Sequence, residues 1–135
     1  MSGVAREPAA KGLGPFDTPA SSSLRFVIEL TAWVAGPWAA ADILDSGWAA
    51  PAALVVLLVL PSIFNVPGDK NVTGVAVPGP VRIFIEALLL AVAVVASFLV
   101  WPLWASAFVA VAALGMVVTG MPRYRWLADG APAPA

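Results

Sequence analysis

Four charged residues recur in a pattern that could carry chemistry. Leu24-Arg25-Phe26-Val27-Ile28-Glu29 returns 57 residues later as Val81-Arg82-Ile83-Phe84-Ile85-Glu86. In each copy the arginine precedes the glutamate by four positions, which puts both on one face of a helix, although that order is the weaker one for such pairs. A glutamate in the opening turns also interacts well with the positive end of the helix dipole. Two chemistries suit the set Arg25, Glu29, Arg82 and Glu86. As a carboxylate pair, Glu29 and Glu86 could share a proton or hold a cation or cationic solute, a device of proton-linked switches. As an ionic clasp, the four would fix helix register, pairing within each copy or crosswise, Arg25 with Glu86 and Arg82 with Glu29. A third reading leaves the arginines independent, with their stems buried and their heads reaching water.

Other chemistry is excluded by what the chain lacks. It has no cysteine and no histidine, which removes disulfides, thiolate nucleophiles, imidazole bases and the usual zinc ligands together. No nucleophile–base set, glycine-rich phosphate loop, metal-ligand cluster or haem ligand pair is visible. The sequence therefore predicts no enzyme, no cofactor and no metal. A net charge of -1 gives no basic field to attract nucleic acid.

The elements that must position the four charges are transmembrane helices. Hydrophobic residues make up 61% of the 135 and charged residues 11%, against about 45–50% and roughly 25% in a soluble domain. Two stretches carry no charge, Ser46 to Gly68 (23 residues) and Ala87 to Pro122 (36 residues). A span needs about 20 apolar residues to cross a core of roughly 30 Å. The first stretch holds one helix, over 48–64. The second would be about 54 Å long as one helix, so it must fold back. Trp101-Pro102-Leu103-Trp104 is the break, because proline stops a helix and tryptophan prefers the interface. That gives helices over 81–100 and 103–121. A first helix runs over 24–42 and tolerates Glu29 because it lies near the helix end, where a charge costs less. Residues 1–20 read as a disordered cytoplasmic tail, 21–122 as the four-helix domain and 123–135 as a second cytoplasmic tail.

Charge placement orients the bundle. All seven basic residues (Arg6, Lys11, Arg25, Lys70, Arg82, Arg123 and Arg125) fall in the termini, the 65–80 loop or adjacent helix ends. The two opposite turns, near 42–47 and 101–104, hold Asp42 and Asp45 and no base. A basic-residue excess marks the cytoplasmic side, which predicts a multi-pass inner-membrane protein with both termini inside. Trp38, Trp48, Trp101 and Trp104 mark the outer boundary and Trp126 the inner one. Asn71-Val72-Thr73 matches a glycosylation sequon and is taken as chance on the cytoplasmic side. Gly68-Asp69-Lys70-Asn71 reads as a solvated turn.

The repeat extends into small residues. Gly36 and Ala40 follow Glu29 by seven and eleven positions, as Ala93 and Ser97 follow Glu86. Each set forms a small-xxx-small seam that lets membrane helices approach closely. The expected architecture is an all-α, integral membrane four-helix bundle of two similar hairpins in parallel repeat, with helices 1 and 3 packed along Gly36, Ala40, Ala93 and Ser97. Pro37 and Pro61 interrupt helices 1 and 2 and free the carbonyls of Trp33 and Leu57.

The phrase Leu24-Arg25-Phe26-Val27-Ile28-Glu29-Leu30 resembles the signature of the YrdB-like family of small bacterial four-helix membrane proteins. Val81-Arg82-Ile83-Phe84-Ile85-Glu86 looks like that family's later helix start. The resemblance covers about residues 22–121 and implies an architecture and no activity. The 65–80 loop and the N-terminal tail depart from the family's compact pattern. The functional expectation is a structural or accessory subunit in the lipid bilayer, as a homo-oligomer or in a larger membrane complex. The alternative is a small proton- or cation-linked transporter or channel using Glu29 and Glu86.

Overall fold

Thr18 opens the first helix. Its Oγ1 accepts from the Ser21 amide at 3.1 Å, and the Ser21 hydroxyl accepts from the Thr18 amide at 2.9 Å. Pro19 supplies a first helical residue with φ already set. The computed structural model describes residues 16–69 and 74–132. Expectations about residues 1–15, the sequon at 71–73 and residues 133–135 lie outside that range. Within it there are four helices, α1 (Pro19–Leu44), α2 (Ala49–Ile63), α3 (Gly79–Val100) and α4 (Leu103–Ala128).

Two helices outrun the spans read from hydropathy. The α1 helix starts at Pro19 rather than 24, because the Thr18–Ser21 capping box lies upstream of the apolar run. The α4 helix passes Pro122 and continues to Ala128, so the segment expected as a tail from 123 is helical for six further residues. Charge ends an apolar window, but it does not end a helix.

The α2 helix is short, with 15 residues, about 22 Å of rise against a bilayer core of roughly 30 Å. After it, Phe64–Asn65 (β1) pairs in parallel with Val75–Ala76 (β2). This small ladder gives order to part of the 65–80 loop. Three helices, α1, α3 and α4, are long and apolar enough to cross a membrane by length and composition.

The α1 helix packs most extensively on α3, and both pack on α4, while α2 leans on α1 and touches α3 little. A stripe of Ala32, Ala35, Gly36 and Ala39 is buried on α1, opposite Leu89, Ala93, Ala96 and Ser97 on α3. Small side chains there let the backbones approach. Of the expected seam, Gly36, Ala93 and Ser97 are buried and Ala40 is half-buried, with Ala39 taking the inward position. A Cβ on Gly36 would lie 2.8 Å from Leu57 Cδ1 and 2.9 Å from Val92 Cγ1, so α1, α2 and α3 meet at that residue. Pro61 cannot donate to the Leu57 carbonyl, and the Trp33 indole N–H supplies the donor instead, at 3.0 Å.

The fold is apolar outside and charged at one place inside. Trp48, Phe84, Trp104 and Phe108 are each more than two-thirds exposed, whereas the two largest fully buried side chains are Arg82 and Arg123. Arginine is almost never buried unless it is paired. What pairs these two defines the site.

Candidate functional site

The buried charges gather at the end of the bundle where α1 and α3 begin and α2 and α4 finish. The Arg82 guanidinium is fully buried. Its Nε donates to Glu86 Oε2 at 3.0 Å, four residues on along α3. Its Nη1 donates to the carbonyls of Pro61 at 2.8 Å and Phe64 at 2.9 Å. One arginine thus ties the start of α3 to the end of α2, satisfying carbonyls that a helix C-terminus leaves open. Its Nη2 has no hydrogen-bond partner among the described residues.

From α4, Arg123 reaches the same point. Its Nη1 donates to Glu86 Oε1 at 2.8 Å, and its Nε and Nη2 grip both oxygens of Asp69, Nε at 2.8 Å and Nη2 at 2.5 Å. This is the bidentate fork for which guanidinium geometry is suited. Asp69 comes from the loop after β1 and is 1% exposed. The Arg123 guanidinium also lies 5.9 Å from the centre of the Tyr124 ring, within cation–π reach. On the α1 side, Arg25 forms a second fork with Asp17, at 2.9 and 3.0 Å. Asp17 Oδ1 lies 4.0 Å from Arg123 Nε and links this pair to the rest. Phe16 then packs on Trp126 with ring centres 5.4 Å apart.

The structure brings together two of the four expected charges directly, Arg82 and Glu86, and joins them through Arg123 and Asp17 to Arg25. Arg25 takes Asp17, and Arg82 takes Glu86, rather than the crosswise partners. Glu29 sits one turn beyond Arg25 on α1 and is half-buried. The cluster therefore couples three guanidinium groups to the three carboxylates of Asp17, Asp69 and Glu86. Glu86 is 2% exposed and both its oxygens are engaged by arginine, which leaves that carboxylate little capacity to take a solute cation. Among the described residues no group of acidic side chains is arranged to hold a metal ion.

Sequence reasoning passed over Asp17, Asp69 and Arg123. Asp69 and its neighbours have the composition of a solvated turn, Asp17 lies in a segment that reads as tail, and Arg123 reads as a topology marker. One signal was available. In a chain with 15 charged residues, an arginine adjoining a 36-residue apolar run should prompt a search for its counter-ion. Comparison with protein-family models, with curated proteins and with solved structures finds no match for this chain.

Proposed function

We propose that the chain is a non-enzymatic, four-helix integral membrane protein that serves as a structural or accessory subunit, with the buried ionic cluster as the clasp that closes one end of the bundle. The observation that carries this reading is Glu86, whose two oxygens are held by Arg82 at 3.0 Å and Arg123 at 2.8 Å in a nearly solvent-free position. A carboxylate so placed ties α3 to α4. A proton- or cation-linked carrier built on Glu29 and Glu86 would first have to free Glu86 from both arginines. Removing one partner of a buried ion pair costs on the order of 3–5 kcal/mol.

The inside-out distribution of side chains supports the membrane reading, since soluble monomers rarely expose continuous apolar surface of more than a few hundred Å2. The α2 helix then crosses with local thinning of the bilayer, or with help from residues at its ends. Both termini face the cytoplasm, following the basic residues. The shared starting end of α1 and α3 favours two hairpins in parallel repeat, the architecture that the resemblance to the YrdB-like family also implies. The exposed helix faces offer contacts to a second copy or to a larger membrane complex.

Proton and monovalent cation flux in proteoliposomes tests the functional reading, with the parent compared to Glu86→Gln and Glu29→Gln. The expected result is no flux above empty liposomes that either substitution alters, and a less stable Glu86→Gln. Flux in the parent that disappears in Glu86→Gln, with helix content and thermal stability unchanged, would overturn the clasp and establish a carrier.

A further inference from the structure

Asp17 joins the clasp from outside the helices. It precedes the Thr18–Ser21 capping box and lies in no helix or strand, yet its side chain is 2% exposed. Arg25 of α1 grips both of its oxygens, at 2.9 and 3.0 Å, and the Nε of Arg123 on α4 lies 4.0 Å from its Oδ1. A carboxylate ahead of the first helix thus draws on guanidinium groups of two helices. Its neighbour Phe16 packs on Trp126 and is itself 42% exposed, so this short strap ends at the surface of the bundle. Displacing the strap leaves Arg123 its bonds to Asp69 and Glu86. The Arg25 fork loses both bonds that it makes to Asp17, and its N–H groups then call for another oxygen acceptor.

We infer that the Arg25 fork, with Arg123 beside it, is a binding site for a phosphate oxyanion, and that Asp17 occupies it as a competitor built into the chain. Phosphate enters as the Phe16–Asp17 strap leaves, so the strap is the removable part of the clasp. A planar guanidinium fork matches phosphate as well as carboxylate. Asp17 spends both of its oxygens on Arg25, whereas a phosphate has a further oxygen to turn towards Arg123. The phosphate can belong to an anionic phospholipid or be free in solution. The lipid source rests on the membrane reading above, which puts the start of α1 at the cytoplasmic boundary. Basic pockets between helices on that side take anionic head groups.

The strap is followed in the full chain by labelling Phe16→Cys with an uncharged maleimide, with Asp129→Cys as the reference for bulk surface effects. Two probes are used: phosphatidylglycerol replacing phosphatidylcholine in the vesicles, and inorganic phosphate replacing chloride at matched ionic strength in phosphatidylcholine alone. The expected result is faster labelling at position 16 relative to 129 with at least one probe. A response to phosphatidylglycerol alone names a lipid phosphate, and a response to inorganic phosphate names a free one. No response to either overturns the inference. Retained phosphatidylglycerol or phosphate is also counted by native mass spectrometry. Asp17→Asn should tighten retention about tenfold, as for removal of a competing state populated roughly nine-tenths of the time, and adding Arg25→Gln should abolish it. Retention that Asp17→Asn leaves unchanged, or that survives Arg25→Gln, overturns the inference. If Asp17→Asn fails to fold, the labelling at position 16 decides. Resistance to alkaline extraction is scored separately: an extracted chain loses the membrane reading, while the inorganic phosphate arm still decides the site.

Discussion

Replacing Arg123 with methionine removes a side chain that hydrogen-bonds two buried carboxylates at once, Asp69 and Glu86. Among the described residues, Asp69 then keeps none of the guanidinium contacts that it makes in the parent, and Glu86 keeps Arg82. Both carboxylates are at most 2% exposed, so water cannot replace the lost donors without the loop or the helix end moving. Breaking a buried pair from one side costs on the order of 3–5 kcal/mol. That is a large part of the roughly 5–15 kcal/mol by which folded domains are stable. Asp69→Asn alone weakens the fork but leaves no uncompensated negative charge at that position. The double variant Arg123→Met/Asp69→Asn should therefore cost less than the sum of the two single changes, by about 1–3 kcal/mol of coupling. The assay is reversible unfolding in mixed micelles by SDS titration, followed by helical circular dichroism. Additive effects, or a cost below about 1 kcal/mol for Arg123→Met, the ordinary value for an exposed pair, would show that the cluster does not hold the bundle end together.

Three further outcomes follow from specific contacts. Gly79→Ala should separate α3 from α4 or prevent the native closure, because its Cβ would lie 1.8 Å from the Leu127 carbonyl oxygen, a backbone atom at the end of α4. Cysteine crosslinking between the start of α3 and the end of α4 reports this as a loss of yield. Trp33→Phe should cost about 1 kcal/mol by removing the donor to the Leu57 carbonyl. The cost should shrink in a Pro61→Ala background, where a backbone N–H can serve that carbonyl, and micelle unfolding of the four proteins checks it. Thr18→Ala should lose about 0.5–2 kcal/mol through the broken capping box, read as faster amide hydrogen exchange in the first turn of α1.

The helices were legible because hydropathy is dense and proline is placed at their joints. Trp101-Pro102 separates α3 from α4 where expected, and Pro61 exposes the Leu57 carbonyl that Trp33 then takes. The ends were less legible. A capping box made by Thr18 and Ser21 lies in a polar stretch with the composition of a tail, and α4 runs through Arg123 and Arg125 because helix propensity continues past the apolar run. The site was legible in half. Arg82 and Glu86 stand out because charge is scarce, and their spacing on α3 yields the pair directly. Arg123 and Asp69 are 54 positions apart, and no local pattern links a loop aspartate to the end of a distant helix. Their meeting depends on the packing of α4 against α3 and on the turn after β1, both set by tertiary structure.

The four-span bundle stands or falls on whether α2, at 15 residues, carries the chain across the bilayer. The protein has no native cysteine, so single cysteines can be placed on a clean background at the exposed positions Ala20, Gly47, Pro67, Leu103 and Asp129. Labelling of intact cells with a membrane-impermeant maleimide, before and after permeabilisation, then reads the side of each. Positions 47 and 103 should label in intact cells, and positions 20, 67 and 129 only after permeabilisation. Positions 47 and 67 labelling from the same side would contradict the four-span bundle, because α2 would then lie on the membrane.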